Sequence, residues 1–214
     1  MLNKLAILIC LKLLTFSINA QNFGGGTILG ISTSQVGGDN LSGFNRAGLL
    51  IGIFANKSIY QNLKFQIEMT YIQKGSKNPN INDASDPNYL KQDISLSYFE
   101  LPFLLQYQQS EDISIEGGIK MAYLIEGYYN DLYGKIEYNE FQPFMNYDLG
   151  LTIGVNYKYS SNINLNTRIS NSILPIGSED YENQEIYGSI KKGKYNSVIS
   201  FTIHYNLWVK KNIK

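Results

Sequence analysis

One histidine and two serines are the residues of this chain best suited to nucleophilic chemistry. His204 is the only histidine among the 214 residues, and Ser200 or Ser170 could act as a nucleophile that it activates. Such a pair needs a further group to orient the base, and the sequence offers no recognisable one. No Gly-x-Ser-x-Gly elbow, His-Glu-x-x-His motif or Cys/His cluster occurs. We therefore expect a non-catalytic His204 on the wet face of a strand, and we expect no catalytic residue elsewhere.

Eight charged residues recur on the polar faces of the predicted strands. They could form a ring that selects ions, or a path for protons. They could instead be ion pairs that neutralise one another, because the interior of an eight-stranded barrel is just wide enough for side chains to fill. We favour the ion pairs. The candidate lumen charge network comprises Arg46, Lys64, Glu68, Glu116, Lys120, Glu126, Asp148 and Arg168.

Two further segments have some features of ligand sites. Gly24, Gly25 and Gly26 are consecutive, but the Lys-Ser/Thr of a phosphate-binding loop does not follow them. Residues 83–88 carry carboxylates without the spacing of a calcium loop. We predict no metal and no cofactor. Basic and acidic residues balance at 18 each, so no charge excess indicates nucleic acid as a partner.

The N-terminus has the pattern of a secretory signal peptide. A positively charged residue precedes an apolar stretch, and Ala20 supplies a small residue before the expected cleavage site. A membrane anchor is the alternative, but the segment is short for a spanning helix and Lys12 interrupts it. We expect removal of residues 1–20 and a single domain over residues 21–214. The mature chain then lacks Cys10, the only cysteine, and retains 16 basic against 18 acidic residues because two lysines are removed.

Period-2 alternation dominates the rest of the chain. The clearest case is the segment of residues 145–157, in which apolar and polar residues alternate throughout. Since successive side chains of a strand point to opposite faces, this segment has one apolar and one polar face. Seven other segments alternate to differing degrees, so eight strands are predicted. They cover residues 26–34, 46–56, 63–71, 94–108, 113–126, 163–169 and 199–207.

The lengths of these strands and of their connections indicate a barrel that crosses a membrane. Several strands reach the ~9–11 residues that a tilted strand needs to span a bilayer. Tight turns alternate with long polar connections, as in outer-membrane barrels whose turns lie in the periplasm. The short connections are residues 56–62, 109–112 and 160–162. The long ones are residues 35–45, 75–91, 127–142 and 173–194.

A soluble lipocalin-like barrel or a β-sandwich would also alternate over about eight strands. Its outer face would have to be charged, whereas only 17% of this chain is charged and the polar faces are rich in Gly, Ser, Thr and Asn. No segment has the ~20 apolar residues of a transmembrane helix. We therefore favour an all-β, antiparallel, up-and-down transmembrane barrel in the outer membrane, with its apolar faces toward lipid.

Several stretches resemble a known family. They include Gly48 to Ala55, a strand ending in Tyr71-Ile72-Gln73-Lys74-Gly75, and Tyr98-Phe99-Glu100-Leu101-Pro102 in the following strand. Together with Gly117-Gly118 and Asp148 to Leu151, they resemble the PorT-like outer-membrane β-barrel family of Bacteroidota over most of residues 23–208. Family strands often stop at an aromatic residue, whereas six residues follow Trp208 here.

The resemblance implies a fold and a location rather than an activity. We expect a non-enzymatic protein with a structural or interaction role in the envelope, and a PorT-like secretion accessory is the specific form that the resemblance implies. A narrow porin or small-molecule channel and an outer-membrane lipid-modifying enzyme are the alternatives. The expected partners are the lipid bilayer and envelope or secretion-system proteins.

Overall fold

A computed structural model describes residues 23–39, 43–78, 93–131, 134–137, 144–178 and 193–207. Ten strands lie within these ranges. They are β1 (Phe23–Gly37), β2 (Arg46–Tyr60), β3 (Leu63–Lys77), β4 (Asp93–Gln108), β5 (Ile113–Asp131), β6 (Gly134–Glu137), β7 (Tyr147–Lys158), β8 (Ile163–Ser172), β9 (Gly177–Ser178) and β10 (Gly193–Asn206). Across the same ranges, no helix is long and apolar enough to span a membrane.

Eight of these strands close into one antiparallel barrel. Their order is β1-β2-β3-β4-β5-β7-β8-β10, and β10 pairs with β1 from Gly26–Asn206 to Gly37–Tyr195. The short β6 and β9 extend β5 and β10 beyond the barrel wall. The predicted eight-stranded, up-and-down barrel is confirmed. Closure pairs each of these eight strands with a neighbour on both sides, which is the condition for strands to lie in lipid.

The two faces of each strand are oriented as the alternation predicts. On β7, Leu151 and Ile153 are 51% and 65% exposed on the outside, whereas Thr152 between them is 3% exposed inside the barrel. An outward apolar band is what a transmembrane barrel presents to lipid. The inner face instead carries the polar and charged side chains from which a site can be built.

The connections divide the barrel into two ends. Tight turns at residues 61–62, 109–112 and 159–162 lie at one end, where β1 begins and β10 finishes. The first turn is tighter than predicted because β2 continues to Tyr60, past a bulge in its pairing with β3. The other connections meet at the opposite end, which we call the long-loop end. By the usual orientation of such barrels, the turn end faces the periplasm.

At the long-loop end, β3 leaves its neighbour β2 and turns toward β1. The β2–β3 ladder finishes at Leu50–Ile72, and Ser34 Oγ then donates to Gly75 O at 3.0 Å and accepts from Gly75 N at 2.9 Å. Gly75 has a φ of 145°, a backbone conformation that residues with a side chain rarely adopt. Lys74, the residue before it, continues the inward-facing series of β3 and is fully buried inside the barrel.

Candidate functional site in the barrel lumen

The first layer of the lumen above the turn end is an ion-pair cluster formed by Arg168, Glu68 and Glu116, here called the lower cluster. Arg168 Nη1 and Nη2 donate to the two carboxylate oxygens of Glu68 at 2.8 and 3.0 Å, and Arg168 Nε donates to Glu116 Oε1 at 2.6 Å. The three residues come from β8, β3 and β5, so the cluster crosses the lumen. All three are buried, and charge-assisted bidentate pairs of this kind are the strong ones.

Side-chain amides surround the lower cluster. Gln106 Nε2 and Asn156 Nδ2 donate to Glu116 Oε2 at 3.0 and 2.8 Å, and Asn166 Nδ2 donates to Glu116 Oε1 at 2.8 Å. Gln66 Nε2 donates to Glu68 Oε1 at 2.6 Å. These donors replace the water that the carboxylates lose on burial.

A second cluster, the upper cluster, lies nearer the long-loop end and contains Lys74, Glu100, Lys120 and Asp148. Lys74 forms ion pairs with both carboxylates, and its Nζ lies 3.2 Å from Asp148 Oδ2. Lys120 Nζ lies 3.1 Å from Glu100 Oε1 and 3.8 Å from Asp148 Oδ2. The side chains are at most 7% exposed, and their four charges cancel.

Two glycines on the inner face of β7 make room for the long charged side chains. A Cβ on Gly150 would lie 2.5 Å from Lys120 Cε, and a Cβ on Gly154 would lie 2.9 Å from Glu116 Oε1. Small residues therefore alternate with charged ones across neighbouring strands. This arrangement lets both clusters fit within the narrow lumen of an eight-stranded barrel.

Five members of the predicted network lie in these clusters: Glu68, Glu116 and Arg168 in the lower one, and Lys120 and Asp148 in the upper one. Lys74 and Glu100 complete the upper cluster and were not predicted. Both belong to the stretches that carried the family resemblance, which was the one signal that singled them out. Their strands alternate less regularly near these positions, so periodicity alone did not assign them to the polar face.

The other three predicted members lie elsewhere, which corrects the sequence interpretation. Arg46 is at the long-loop rim, where Nη1 pairs with Asp93 Oδ1 at 2.5 Å. Lys64 is exposed beside the turn end. Glu126 is exposed because β5 has an extra residue opposite Ser97 and Tyr98, and this bulge reverses the alternation beyond it.

An apolar layer lies above and around the upper cluster. Phe144 and Ile176, which flank the long connections, are 4% and 0% exposed. Ile176 N donates to Lys194 O at 2.8 Å, and Met145 N donates to Ile176 O at 2.6 Å, so the backbone next to both side chains is anchored. The buried apolar residues that belong to the same cluster include Val36, Ile94, Leu96, Leu124 and Val198.

The turn end of the lumen is open. A cavity of about 790 Å³, here called the turn-side cavity, is lined mainly by polar side chains. Gln66, Gln106, Asn156 and His204 lie at its deep end, and the first three hold the lower cluster behind them. Its remaining lining residues include Phe23, Phe54, Asn56, Lys64, Glu111, Asp112, Ser114, Lys158, Asn164 and Asn206.

His204 faces the lumen from β10 and is 2% exposed. Its Nε2 is 3.0 Å from Thr202 Oγ1, and its ring lies against Phe54 with the centroids 5.3 Å apart. The hydrogen-bond partner of the ring is thus Thr202 rather than Ser200 or Ser170. The imidazole also points away from the lipid-facing surface of the barrel.

Several predicted features fall outside the described residues: the signal peptide of residues 1–20, the carboxylates of residues 83–88, and the chain from Trp208 onward. They stay predictions. Within the part of the chain that the structure describes, no group of three or more His, Cys, Asp or Glu side chains could hold a metal ion.

A closed barrel with an apolar outer band and an ion-paired lumen defines a small outer-membrane β-barrel protein. Residues 16–176, more than half of the 214-residue chain, match the family model described as the outer membrane protein beta-barrel domain. The chain belongs to that family. The predicted outer-membrane location is confirmed, and the soluble alternatives are excluded. No curated protein matches the sequence at a significant level.

Two solved structures of distant proteins are similar to the chain. Ail, the attachment invasion locus protein of Yersinia pestis, is 10% identical, with 87% of this chain and 99% of Ail covered and a TM-score of 0.52. Neisserial surface protein A is 13% identical, with 86% and 96% covered and a TM-score of 0.46. At this identity the likeness to Ail concerns the fold alone.

Proposed function

We propose that this protein is a non-conducting, non-enzymatic barrel that acts in the outer membrane through the partners it contacts. The carrying observation is that buried ion pairs and apolar side chains fill the lumen at several levels. The lower cluster, the upper cluster and the apolar layer occupy successive levels between the turn end and the long-loop end. A barrel filled in this way offers its two ends and its lipid-facing wall for function rather than a pore through its middle.

The energetics of the clusters favour a permanent seal. The charges of Arg168 and Lys120 are buried together with their carboxylate partners, and breaking such a pair leaves an uncompensated charge in a medium of low dielectric constant. Ions that crossed the barrel would have to disrupt both clusters. The narrow-porin alternative therefore requires a rearrangement for which the described residues offer no evident route.

The position of His204 supports the absence of catalysis. A lipid-modifying enzyme must present its nucleophile and base to a lipid substrate, whereas the His204 ring is buried inside the wall, against Phe54 and Thr202. A structural or interaction role is therefore the proposal. A PorT-like secretion accessory is its more specific form, and that form depends on the resemblance of the Tyr71 to Gly75 and Tyr98 to Pro102 stretches.

Planar-bilayer recording tests the seal. Purified protein in a planar bilayer should show no stable, ion-selective current steps, because Arg168, Lys120 and their partners fill the lumen. The triple variant Arg168→Ser, Glu68→Ser, Glu116→Ser removes the charges of the lower cluster together, and it should also show no current steps, because the upper cluster and the apolar layer still fill the lumen. Regular steps from the wild-type protein, altered in selectivity by Arg168→Ala, would support the porin instead.

Affinity capture tests the interaction role. Tagged protein captured from detergent-solubilised envelopes should retain a defined set of envelope proteins, and secretion-system components among them would support the PorT-like form. A control barrel lacking residues 179–192 separates contacts made by that connection from contacts made by the wall. A modification of lipid A that is lost on His204→Ala would overturn the non-enzymatic proposal.

A further inference from the structure

The turn-side cavity has the dimensions of a ligand site. Its volume of about 790 Å³ lies within the ~300–1,000 Å³ of small-molecule pockets. It is closed at depth by the lower cluster and open at the turn end. We propose that this cavity binds a small ligand bearing a primary ammonium group, and that the ammonium group enters first. This proposal is independent of whether the protein has an interaction role.

The charge behind the deep wall favours a cation. The lower cluster holds two carboxylates, Glu68 and Glu116, against one guanidinium, Arg168, so its formal charge is −1. The upper cluster is formally neutral and adds nothing to this imbalance. Gln106 and Asn156 line the cavity and contact Glu116 directly, so the excess negative charge lies one side chain behind the wall.

The orientation of the side-chain amides at the deep end of the cavity also favours a cation. Gln106 and Asn156 turn their N–H groups toward Glu116, and Gln66 turns its N–H group toward Glu68. Each of these amide nitrogens gives one N–H to a carboxylate, and the carbonyl oxygens are the acceptors that remain beside them. The Gln66 oxygen already accepts from Asn56 Nδ2 at 3.2 Å and the Asn156 oxygen from Asn166 Nδ2 at 2.8 Å, which leaves the Gln106 oxygen as the deep acceptor for an ammonium group.

Among the described residues that line the mouth, the charges balance and do not oppose this selection. Lys64 and Lys158 are matched in number by Glu111 and Asp112, and all four are exposed at the turn end. Exposed charges are screened by salt, whereas charge buried behind the deep wall is screened much less. The sign of the deep end therefore decides which ligands the cavity retains.

His204 provides a direct readout of binding. As the only histidine of the sequence, it gives a single set of imidazole resonances in the full-length protein, and its ring lies at the deep end. The probes are cadaverine, 1,5-pentanediol and glutarate, which share a five-carbon skeleton and differ in charge. In lipid nanodiscs, cadaverine should shift the His204 ring signals in a saturable way. The diol and the diacid should bind at least about tenfold more weakly than cadaverine.

Two variants test the cause. Glu116→Gln brings the formal charge of the lower cluster from −1 to zero and should weaken cadaverine binding about tenfold. Ser114→Trp places a large side chain in the cavity wall without touching the cluster and should abolish the saturable shift. Tyr159→Trp, in an adjacent turn and outside the cavity lining, is the matched control and should bind like the wild type.

The probe series decides the proposal even if Glu116→Gln does not fold. Equal shifts with all three probes, or a shift that never saturates, would overturn it. Binding that survives Ser114→Trp would overturn the assignment to this cavity. Tighter binding of glutarate than of cadaverine would mean that Lys64 and Lys158 dominate the field, and would reverse the proposed ligand class.

Discussion

The single side chain of Arg168 connects three strands of the barrel. It extends from β8 to Glu68 on β3 and to Glu116 on β5, and each of its contacts is buried. The sequence interval between Arg168 and Glu68 is 100 residues. The pair therefore forms only when distant parts of the barrel have come together.

We expect Arg168→Ala to destabilise the protein by about 3–5 kcal/mol, because it leaves two buried carboxylates without their cation. Arg46→Ala is the control at the rim, where the Arg46–Asp93 pair is about one fifth exposed and should therefore contribute less than the fully buried pairs of Arg168. Urea unfolding in lipid vesicles measures both. Adding Glu68→Gln to Arg168→Ala should restore part of the loss, and equal losses for Arg168→Ala and Arg46→Ala would contradict the buried cluster.

The strands of this barrel are specified mainly by the alternation of apolar and polar residues. A few positions that break this alternation shape the barrel further. The outer positions of β7 carry large apolar side chains, while its inner positions carry glycines and polar groups that accommodate Lys120 and Glu116. Exceptions occur where the chain must bend. Gly75 lets β3 turn toward β1, and the bulge in β5 moves Glu126 out of the network.

A charge placed on the lipid-facing side of β7 should destabilise the protein more, the deeper in the bilayer it lies. Ile153→Arg lies near the middle of the strand and should cost about 2–4 kcal/mol, whereas Tyr159→Arg at the turn end should cost about 0–1 kcal/mol. Both residues are well exposed on the barrel exterior, at 65% and 68%, so the comparison isolates depth. Equal penalties in vesicle unfolding experiments would mean that this face does not lie against lipid.

The whole molecule has two unlike ends. The turn end carries three tight connections and an open polar cavity, whereas the long-loop end carries the apolar layer and the longer connections. In outer-membrane barrels the short turns face the periplasm, so the turn-side cavity should sample periplasmic solutes.

Epitope labelling tests this orientation. A short epitope inserted at Asn82, in the connection between β3 and β4, should be detected by antibody on intact cells. The same epitope at Ser161, in the turn between β7 and β8, should be detected only after the outer membrane is permeabilised. Detection at Ser161 alone on intact cells would mean that the barrel is inverted and that the turn-side cavity faces the exterior.

The predicted and observed lumen networks differ for a reason of geometry. The alternation pattern predicts which face of a strand a residue occupies, but not its height along the barrel axis. Two residues can form an ion pair only if they share both the inner face and the height. Arg46 and Lys64 lie on polar faces at opposite ends of the barrel, too far from either cluster to join it. Lys74 continues the inner face of β3, but the apolar–polar pattern of the sequence fails just before it, at Ile72 and Gln73, so the pattern did not identify it.

The sequence by itself determined the number of barrel strands, the outward direction of their apolar faces and the alternation of short with long connections. These properties are local, since each depends on side-chain order within one segment or between two neighbours. Only the tertiary structure decided that Arg168 pairs with Glu68 and Glu116, that Lys74 and Glu100 complete the upper cluster, and that a polar cavity lies at the turn end. Those properties depend on strand register around a closed barrel, which brings residues distant in sequence to the same level.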